Sequence, residues 1–339
     1  MSKASIVISL DFELHWGRFD KYRLEDYQGY YKTTLAVIPK ILDLFERYQI
    51  RATWATVGML MAENWEEWNH FAPSRKPDFH KEKYSAYTWG QQSNSASLPG
   101  LFAPDQVKMI ASLAGQELAS HTFSHFYTGE KGSSLEAFES DLLAAKAIAK
   151  SKFGLDVQSL VFPRNQYHSQ VLEIAAKSGF KAARTNPSDW FWQETSKENL
   201  LKKVFRTGDT LFPMGSPVTF DLEKCTIEPL VQIPSSRLLR PYRENSIFNK
   251  LRIERIISEI DSACKLKKAY HLWWHPHNFG HCPNENLNIL EELLIHIHNA
   301  VEGGELESLS MRDVSQRMLE GSPDRKKEKQ KTEIIKIVK

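Results

Sequence analysis

The segment SIVISLDFELHWG, residues 5–17, joins an apolar strand to two carboxylates at its end. Residues 5–10 have the β-branched, apolar composition of a buried strand. Successive side chains of a strand point to opposite faces, so Asp11 and Glu13 point to one side and Phe12 to the other. Carboxylates at the end of an apolar strand are costly to bury unless a cation balances them. The segment therefore predicts a buried strand that ends in a chemical site.

Strands and helices alternate along the rest of the chain. Further strands are predicted at residues 51–58, 117–121, 158–163, 181–186, 228–234, 269–275 and 305–311. Helices are predicted at residues 34–48, 135–154, 169–180, 248–267, 284–301 and 311–319. This alternation is typical of a parallel sheet or barrel with helices outside, whose working residues lie at the carboxyl ends of the strands. Residues 17–32 and 62–103 break the pattern and are expected to be long loops, either binding loops or plain surface insertions.

Composition and charge exclude several classes of protein. Apolar residues make up 41% and charged residues 25%, and no apolar run approaches the roughly 18 residues of a membrane span. The net charge is +2, but residues 322–339 alone hold seven Lys/Arg and three Asp/Glu. The remainder is slightly acidic, which argues against a nucleic-acid-binding body. We expect one domain over residues 1–320 and a basic, flexible tail over 321–339.

Cysteine usage and the N-terminal residues suggest a reducing compartment. The three cysteines, Cys225, Cys264 and Cys282, form no CxxC pair, which argues against a disulfide framework and a cysteine zinc site. No apolar stretch of secretory type is completed before Asp11. A cytoplasmic location is therefore expected.

The histidine pair HTFSH, residues 121–125, directly follows a predicted strand. On a helical turn, the four-residue spacing of His121 and His125 places both rings on one face, close enough to share a metal ion. The alternative is two half-buried histidines with ordinary hydrogen bonds. Two histidines and one carboxylate, with a position open for water, form the ligand set of a catalytic zinc. The other carboxylate of the first strand would then be free to act as a base.

A later strand, in YHLWWHPHNFGH, ends at His275, a position where an acid for a leaving group could lie. Of Trp273 and Trp274, one is expected in the core and the other at the wall of a pocket. We assign Trp274 to the pocket. His277 and His281 are expected to be solvated loop residues.

Three other segments offer polar side chains to the same region. Arg164, in VFPRNQYH, would keep a carboxylate ionised and oriented, the alternative being a surface arginine. Asp189, in NPSDWFW, could hold a catalytic histidine in its working tautomer, and Trp190 beside it is a candidate for substrate binding. Arg237 or Arg240, in IPSSRLLRPY, could bind an anionic substrate group or form a surface salt bridge, and we assign Arg240 to substrate.

Taken in order, the motifs SLDFE, HTFSH, FPRNQ, SDW and LWWHP resemble those of the polysaccharide deacetylase family, the NodB-homology carbohydrate esterases. The resemblance runs over residues 9–276. It implies an α/β fold, a distorted (β/α) barrel of NodB type with long loop insertions, and a divalent metal, usually zinc. Two departures are that DFE replaces two adjacent aspartates and that the PRN turn replaces the more common RxP order.

By position, the resemblance implies Asp11 as general base, His275 as general acid, and Glu13, His121 and His125 as metal ligands. In the same scheme, Arg164 would orient Asp11 and Asp189 would tune His275.

The implied activity is the metal-dependent removal of an N-acyl group, most simply N-acetyl, from an amino sugar or glycan intermediate of surface polysaccharide. One alternative is a metal-independent amidohydrolase acting on a ureide-like or other non-sugar amide. Another is a catalytically silent glycan-binding relative. A glycosidase is disfavoured because Asp11 and Glu13, two residues apart on one strand, cannot readily flank a glycosidic bond. The sequence leaves the oligomeric state open.

Overall fold

The computed structural model describes residues 3–93, 98–187, 189–192, 200–209, 215, 218–244 and 246–321 of the chain. The strands in these ranges are β1 (Ala4–Phe12), β2 (Ala52–Thr56), β3 (Gln116–Ser120), β4 (Ser159–Val161), β5 (Ala182–Thr185), β6 (Val231–Pro234), β7 (Arg237–Leu238), β8 (Ala269–Trp274) and β9 (Leu306–Leu309). The helices are α1 (Gln28–Arg47), α2 (Trp65–Phe71), α3 (Ala86–Gln92), α4 (Pro104–Ser112), α5 (Leu135–Phe153), α6 (Ser169–Lys177), α7 (Leu200–Asp209), α8 (Phe248–Leu266), α9 (Pro283–Glu302) and α10 (Met311–Gly321).

The strands form one parallel sheet in the order β6-β5-β4-β3-β2-β1-β8-β7, and β9 pairs with the first half of β1. The sheet curls because the chain passes directly from one end of it to the other. There, the N–H of Ser235 donates to Thr185 O and the N–H of Ser236 donates to His271 O, each over 2.8 Å. The predicted distorted (β/α) barrel is confirmed, and it brings the carboxyl ends of β1, β3, β5 and β8 together.

Strand β1 is buried along its whole length, and its two faces have different surroundings. Ile6, Ile8, Leu10 and Phe12 belong to the main core, whereas Val7 lies in a smaller inner cluster. That inner cluster includes Met311 and Val314 of α10, together with Ala55, Val161, Ala182, Val231, Ile233 and Leu309. On the inward face, Val7 is therefore followed by the polar side chains of Ser9 and Asp11 toward the end of the strand.

The two segments expected to be long loops contain regular structure. Residues 62–103 include α2 and α3, and the end of the 17–32 segment is the first turn of α1. Tryptophans organise this layer: Trp16 is fully buried, and its Nε1 donates to Leu101 O over 2.8 Å. Its ring also meets those of Trp65 and Trp89 edge-on. Short helices held by aromatic packing have too few turns to give a clear sequence period, which explains the difference.

Helix α7 has no counterpart among the predicted elements, and two predicted segments lie outside the described residues. The basic tail over residues 322–339 and residues 94–97 of the second insertion lie outside the described residues. Within the described part of the chain, no helix is both long and apolar enough to cross a membrane.

Two fully buried histidines make the fold sensitive to acid. His15 lies 3.1 Å from Tyr31 Oη, and Nε2 of His271 lies 2.9 Å from Ser9 Oγ. Burial, helped by Arg18 near His15 and Arg184 near His271, lowers the pKa of each ring to about 3. Between that value and the unfolded pKa of about 6.5, the unfolded chain binds protons that the folded chain does not. The free energy of unfolding therefore decreases as the pH falls through this window.

We expect the substitution His15→Gln to reduce the slope of the free energy of unfolding against pH by about 1.4 kcal/mol per pH unit between about pH 6 and pH 4. Chemical denaturation at a series of pH values measures the slope. His70 is exposed on α2, so His70→Gln is the matched control and should keep the wild-type slope. Identical slopes for wild type and both variants would contradict the burial of a neutral His15.

Candidate active site

Asp11 is held at the inward face of β1 by an arginine from β5. The Nη1 and Nη2 atoms of Arg184 donate to Oδ1 and Oδ2 of Asp11, each over 2.7 Å, and both side chains are almost completely buried. The guanidinium also donates to Ser9 Oγ over 3.0 Å and lies 4.3 Å from the centre of the Trp273 ring. Burial alone would raise the pKa of the Asp11 carboxyl, but Arg184, with His121 and His275, lowers it below its usual value. Asp11 is thus an oriented, ionised carboxylate.

Glu13 meets the histidine pair. Its Oε2 atom lies 3.0 Å from Nε2 of His125 and 3.3 Å from Nε2 of His121, and all three residues are buried. The ligand atoms of the three residues lie within 4.8 Å of one another. The structure therefore brings together the three residues predicted to bind metal.

The two histidines converge through an irregular loop, not through the helical turn that their spacing suggested. Thr122 and His125 have left-handed backbones, with φ of 64° and 56°. Asp141 of α5 holds this loop: its Oδ1 accepts the N–H of Phe123 over 2.6 Å, and its Oδ2 accepts the hydroxyl of Ser124 over 2.5 Å. The helix beneath the loop thereby fixes the positions of the rings.

The chemistry of these three side chains fits a divalent metal. A backbone carbonyl can only accept a hydrogen bond, so Nδ1 of His121 donates to Val161 O over 2.8 Å, and Nε2 is the ring nitrogen left to face Glu13. Burial lowers the pKa of His125 to about 4 against the opposing effect of Glu13, so this ring is neutral near pH 7. The nearby histidines outweigh burial and hold the pKa of Glu13 well below its usual value. The ring nitrogens of two histidines and a carboxylate oxygen thus converge on one point. A cation bound there would stabilise all three groups.

A glycine makes room for the Glu13 carboxyl group. A Cβ atom added at Gly17 would lie 2.1 Å from both Cδ and Oε1 of Glu13. Any other residue at this position would force the carboxyl group to move. Gly17 ends the 3-10 turn Leu14–Gly17 that follows β1, so this turn helps to set the position of the acidic ligand.

Two histidines from the end of β8 complete the centre. Nε2 of His275 lies 3.7 Å from both Asp11 Oδ2 and Glu13 Oε1, and 24% of its side chain is exposed. His277 was expected to be solvated, but it is buried, with Nδ1 3.8 Å from Glu13 Oε1. Its position follows from the 3-10 turn Pro276–Gly280, which folds the chain back over the site. His281 is exposed, as expected.

The arginine expected beside Asp11 is a different one. Arg164 lies in a turn with φ of 55°. Its Nη2 donates to Asp20 Oδ2 over 2.5 Å, and its guanidinium lies 3.8 Å from the centre of the Tyr127 ring. The prediction that Arg164 orients Asp11 is therefore wrong, because the left-handed turn directs its side chain to the 17–32 segment and leaves Arg184 to pair with Asp11.

The assignment of the two tryptophans at the end of β8 is also reversed. Trp274 is fully buried and packs against Phe45 and Phe279, which excludes it from a substrate pocket. Trp273 points inward, where it contacts Arg184 and lies 5.6 Å from the His275 ring. The alternation of side chains along β8 places residues 273 and 275 on the same face.

The remaining candidates from the sequence are Asp189, Trp190 and Arg240. Asp189 lies against Gly215, where an added Cβ would approach its Oδ2 to 2.7 Å. Trp190 begins the 3-10 turn Trp190–Trp192, and its side chain lies outside the described residues. Arg240 lines a cleft on the helical side of the sheet together with Arg252 of α8. The roles assigned to these residues stay predictions.

Sequence reasoning did not identify Arg184 and Asp141. Both had a recognisable feature, a charged side chain among apolar neighbours. Arg184 lies within the short strand AART, and Asp141 lies on the face of α5 that also carries Phe138 and Leu142. A charge on a buried face requires a partner, and here each partner is part of the site.

We expect Gly17→Ala to weaken zinc binding by about tenfold or more, because the new methyl group displaces the Glu13 carboxyl group. Titration of zinc in competition with a chelating dye measures the affinity. Gly29→Ala, in α1, is the matched control because an added Cβ meets nothing within 4 Å. Wild-type zinc affinity in the Gly17 variant would contradict the assignment of Glu13 as a ligand.

Comparison with known proteins supports the family resemblance over part of the chain. Residues 28–183 match the family model for polysaccharide deacetylase. This segment contains His121 and His125, whereas Asp11, Glu13 and His275 lie outside it. No curated protein matched the chain in sequence.

Solved structures share the fold across different activities. A protein from Mycobacterium smegmatis, assigned as a polysaccharide deacetylase, superimposes with a TM-score of 0.60 at 14% identity, covering 94% of this chain and 91% of that one. Puue allantoinase gives a TM-score of 0.53 at 13% identity over 94% and 91% of the two chains. The 4-alpha-glucanotransferase of Thermococcus litoralis gives 0.51 at 10% identity over 93% and 40%.

At these identities the structures establish the fold alone. The resemblance that the motifs indicated is confirmed over residues 28–183, which match the polysaccharide deacetylase family model, within a chain that folds as a distorted (β/α) barrel.

Proposed function

We propose that this chain is a metal-dependent hydrolase that removes an N-acyl group, most simply N-acetyl, from an amino sugar or glycan intermediate. The observation that carries this proposal is that two neighbouring carboxylates have different partners. Asp11 is bound to the permanent cation of Arg184, whereas Glu13 faces two histidines whose lone pairs suit a metal. One carboxylate is thus available as a base, and the other as a ligand.

Each residue of the centre has a role in amide hydrolysis. Glu13, His121 and His125 would hold a divalent cation, most simply Zn²⁺, which supplies polarisation of the acyl carbonyl and lowers the pKa of a water molecule. Asp11, ionised and oriented by Arg184, accepts the proton of the attacking water. His275, the more exposed of the two histidines after β8 that belong to the centre, donates a proton to the departing amine. The products are the free amine of the sugar and acetate.

His275 is well placed for this transfer. Its Nε2 lies 3.7 Å from both Asp11 Oδ2 and Glu13 Oε1, beside the proposed base and the proposed metal ligand. The indole of Trp273 packs beside the ring and limits its movement. Because its side chain is partly exposed, His275 can also reach the amine of a substrate that enters the site from solvent.

The geometry disfavours a glycosidase. Asp11 is committed to Arg184 and Glu13 to the histidine pair, so this carboxylate pair does not flank a substrate bond from two sides as a glycosidase requires. The metal-independent amidohydrolase and the silent glycan-binding relative remain distinct alternatives, and they differ from our proposal in metal content and turnover. A role in surface polysaccharide synthesis and a cytoplasmic location stay predictions.

We expect Asp11→Asn and Glu13→Gln to abolish hydrolysis for different reasons. Asp11→Asn removes the base and should lower acetate release from an N-acetylated amino sugar by about 10²–10⁴-fold while zinc remains bound. Glu13→Gln removes a ligand and should lose both zinc and activity. Acetate release and metal content by mass spectrometry measure the two effects, with melting temperatures to show that both variants are folded.

Two results would contradict the mechanism. Full activity after removal of the metal by a chelator would favour the metal-independent amidohydrolase. Binding of N-acetylated sugars without any acetate release, unchanged in Asp11→Asn, would favour the glycan-binding relative. Exposed His70→Gln serves as a control that should keep both zinc and activity.

A further inference from the structure

Three arginines beside β7 have no acidic partner among the described residues. Arg240 and Arg243 lie in the loop that follows β7, and Arg252 lies on α8. Arg237, which lies in β7 itself, is different because it has acidic partners: it pairs with Asp209 over 2.8 Å and with Glu259 over 2.5 Å. The other three guanidinium groups gather positive charge in one place without such compensation.

Part of this charge is buried. Nε of Arg240 and both Nε and Nη1 of Arg252 are buried, and none has a hydrogen-bond acceptor in the described part of the chain. Burial and the positive charges of Arg252, Arg243 and Arg237 lower the pKa of Arg240, and burial and Arg243 lower that of Arg252. Buried donors and like charges held together cost free energy, so the fold maintains an arrangement that an anion would relieve.

The loop that carries Arg240 and Arg243 is held by hydrogen bonds to two helices. Nδ2 of Asn249 donates to Arg243 O over 2.7 Å, and its Oδ1 accepts the N–H of Arg243 over 3.2 Å. The N–H of Tyr242 donates to Asn286 Oδ1 over 2.8 Å. The loop is therefore anchored to both α8 and α9. Arg240 and Arg252 line one small cleft together with Tyr242 and Asn249, and Arg243 follows Tyr242 in the anchored loop.

We propose that Arg240, Arg243 and Arg252 form a binding site for a phosphate or diphosphate group. The forked guanidinium group donates paired hydrogen bonds to phosphate oxygens and stays charged at all working pH values. Three positive charges match a phosphate dianion or a diphosphate better than a single carboxylate, which would neutralise one of them. The proposal does not depend on the hydrolase activity proposed above.

The site lies next to the strand that leads to the catalytic centre, since the N–H of Leu239 donates to Trp273 O over 2.8 Å. Exposed apolar side chains flank it on the solvent side: Ile247 is 79% exposed, and Phe248 and Leu251 are 39% and 40% exposed. The phosphate group could therefore belong to a small soluble molecule or to a lipid headgroup. The chemistry of recognition is the same for both sources, and experiment separates them.

The test compares an Arg240→Gln/Arg252→Gln double variant with Lys250→Gln. Lys250 is 85% exposed on α8 and pairs with Glu254, so its substitution removes a positive charge from the same helix without touching the cleft. Calorimetric titration with inorganic pyrophosphate measures binding of a soluble group. Sedimentation with phosphatidylcholine vesicles, with and without phosphatidic acid, measures binding of a headgroup. Both use the full chain.

We expect saturable binding of one of the two probes, weakened about tenfold or more in the double variant and unchanged in Lys250→Gln. Binding of pyrophosphate identifies a soluble phosphate, and sedimentation only with phosphatidic acid identifies a lipid headgroup. The melting temperature of the double variant should equal or exceed that of wild type, because repelling charges are removed. If the double variant does not fold, the single variants Arg240→Gln and Arg252→Gln give the same comparison.

The absence of binding to both probes would overturn the proposal. Equal weakening in the double variant and in Lys250→Gln would also overturn it, because such a result describes diffuse attraction by positive charge and not a site.

Discussion

Asp11 near the end of β1 and Glu13 directly after it are both buried, and the cost of burying two carboxylates is the constraint that the surrounding residues meet. Arg184 neutralises Asp11 with a permanent charge. Glu13 instead receives two histidines, and the pKa of His125, lowered to about 4, leaves that ring neutral near pH 7. Neither of these histidines supplies a permanent charge like that of Arg184, so a metal cation would complete the compensation of the Glu13 carboxylate. This asymmetry between the two carboxylates is the physical basis for the proposed metal site and the separate proposed base.

The supports of this centre come from several layers of the structure. The left-handed loop between His121 and His125 is tied to α5 through Asp141. Gly17 leaves the space that the Glu13 carboxyl group occupies. At the opposite end of the barrel, Met311 and Val314 of α10 close the interior with apolar side chains. The side chains of the candidate site lie at the other end, at the carboxyl ends of the strands, where His275 is partly exposed.

Glu13 directly follows β1, so its position also depends on the 3-10 turn Leu14–Gly17 that begins there. The alternation of β1 was sufficient to predict that Asp11 faces inward, once Ile8 and Leu10 are placed in the core. The same rule, applied to β8, would have placed Trp273 beside His275 and assigned Trp274 to the core. That Arg184, and not Arg164, pairs with Asp11 was harder to predict from the sequence. The pairing depends on a left-handed turn at Arg164 and Asn165, and neither position has the glycine that usually indicates such a turn.

Anomalous X-ray scattering from crystals grown with zinc tests the central claim most directly. Our account predicts one strong peak at the zinc edge, about 2.0–2.2 Å from a carboxylate oxygen of Glu13 and from Nε2 of both His121 and His125, with Asp11 outside the coordination sphere. A peak coordinated by Asp11, or no peak at this centre under zinc saturation, would contradict the division of the two carboxylates into base and ligand.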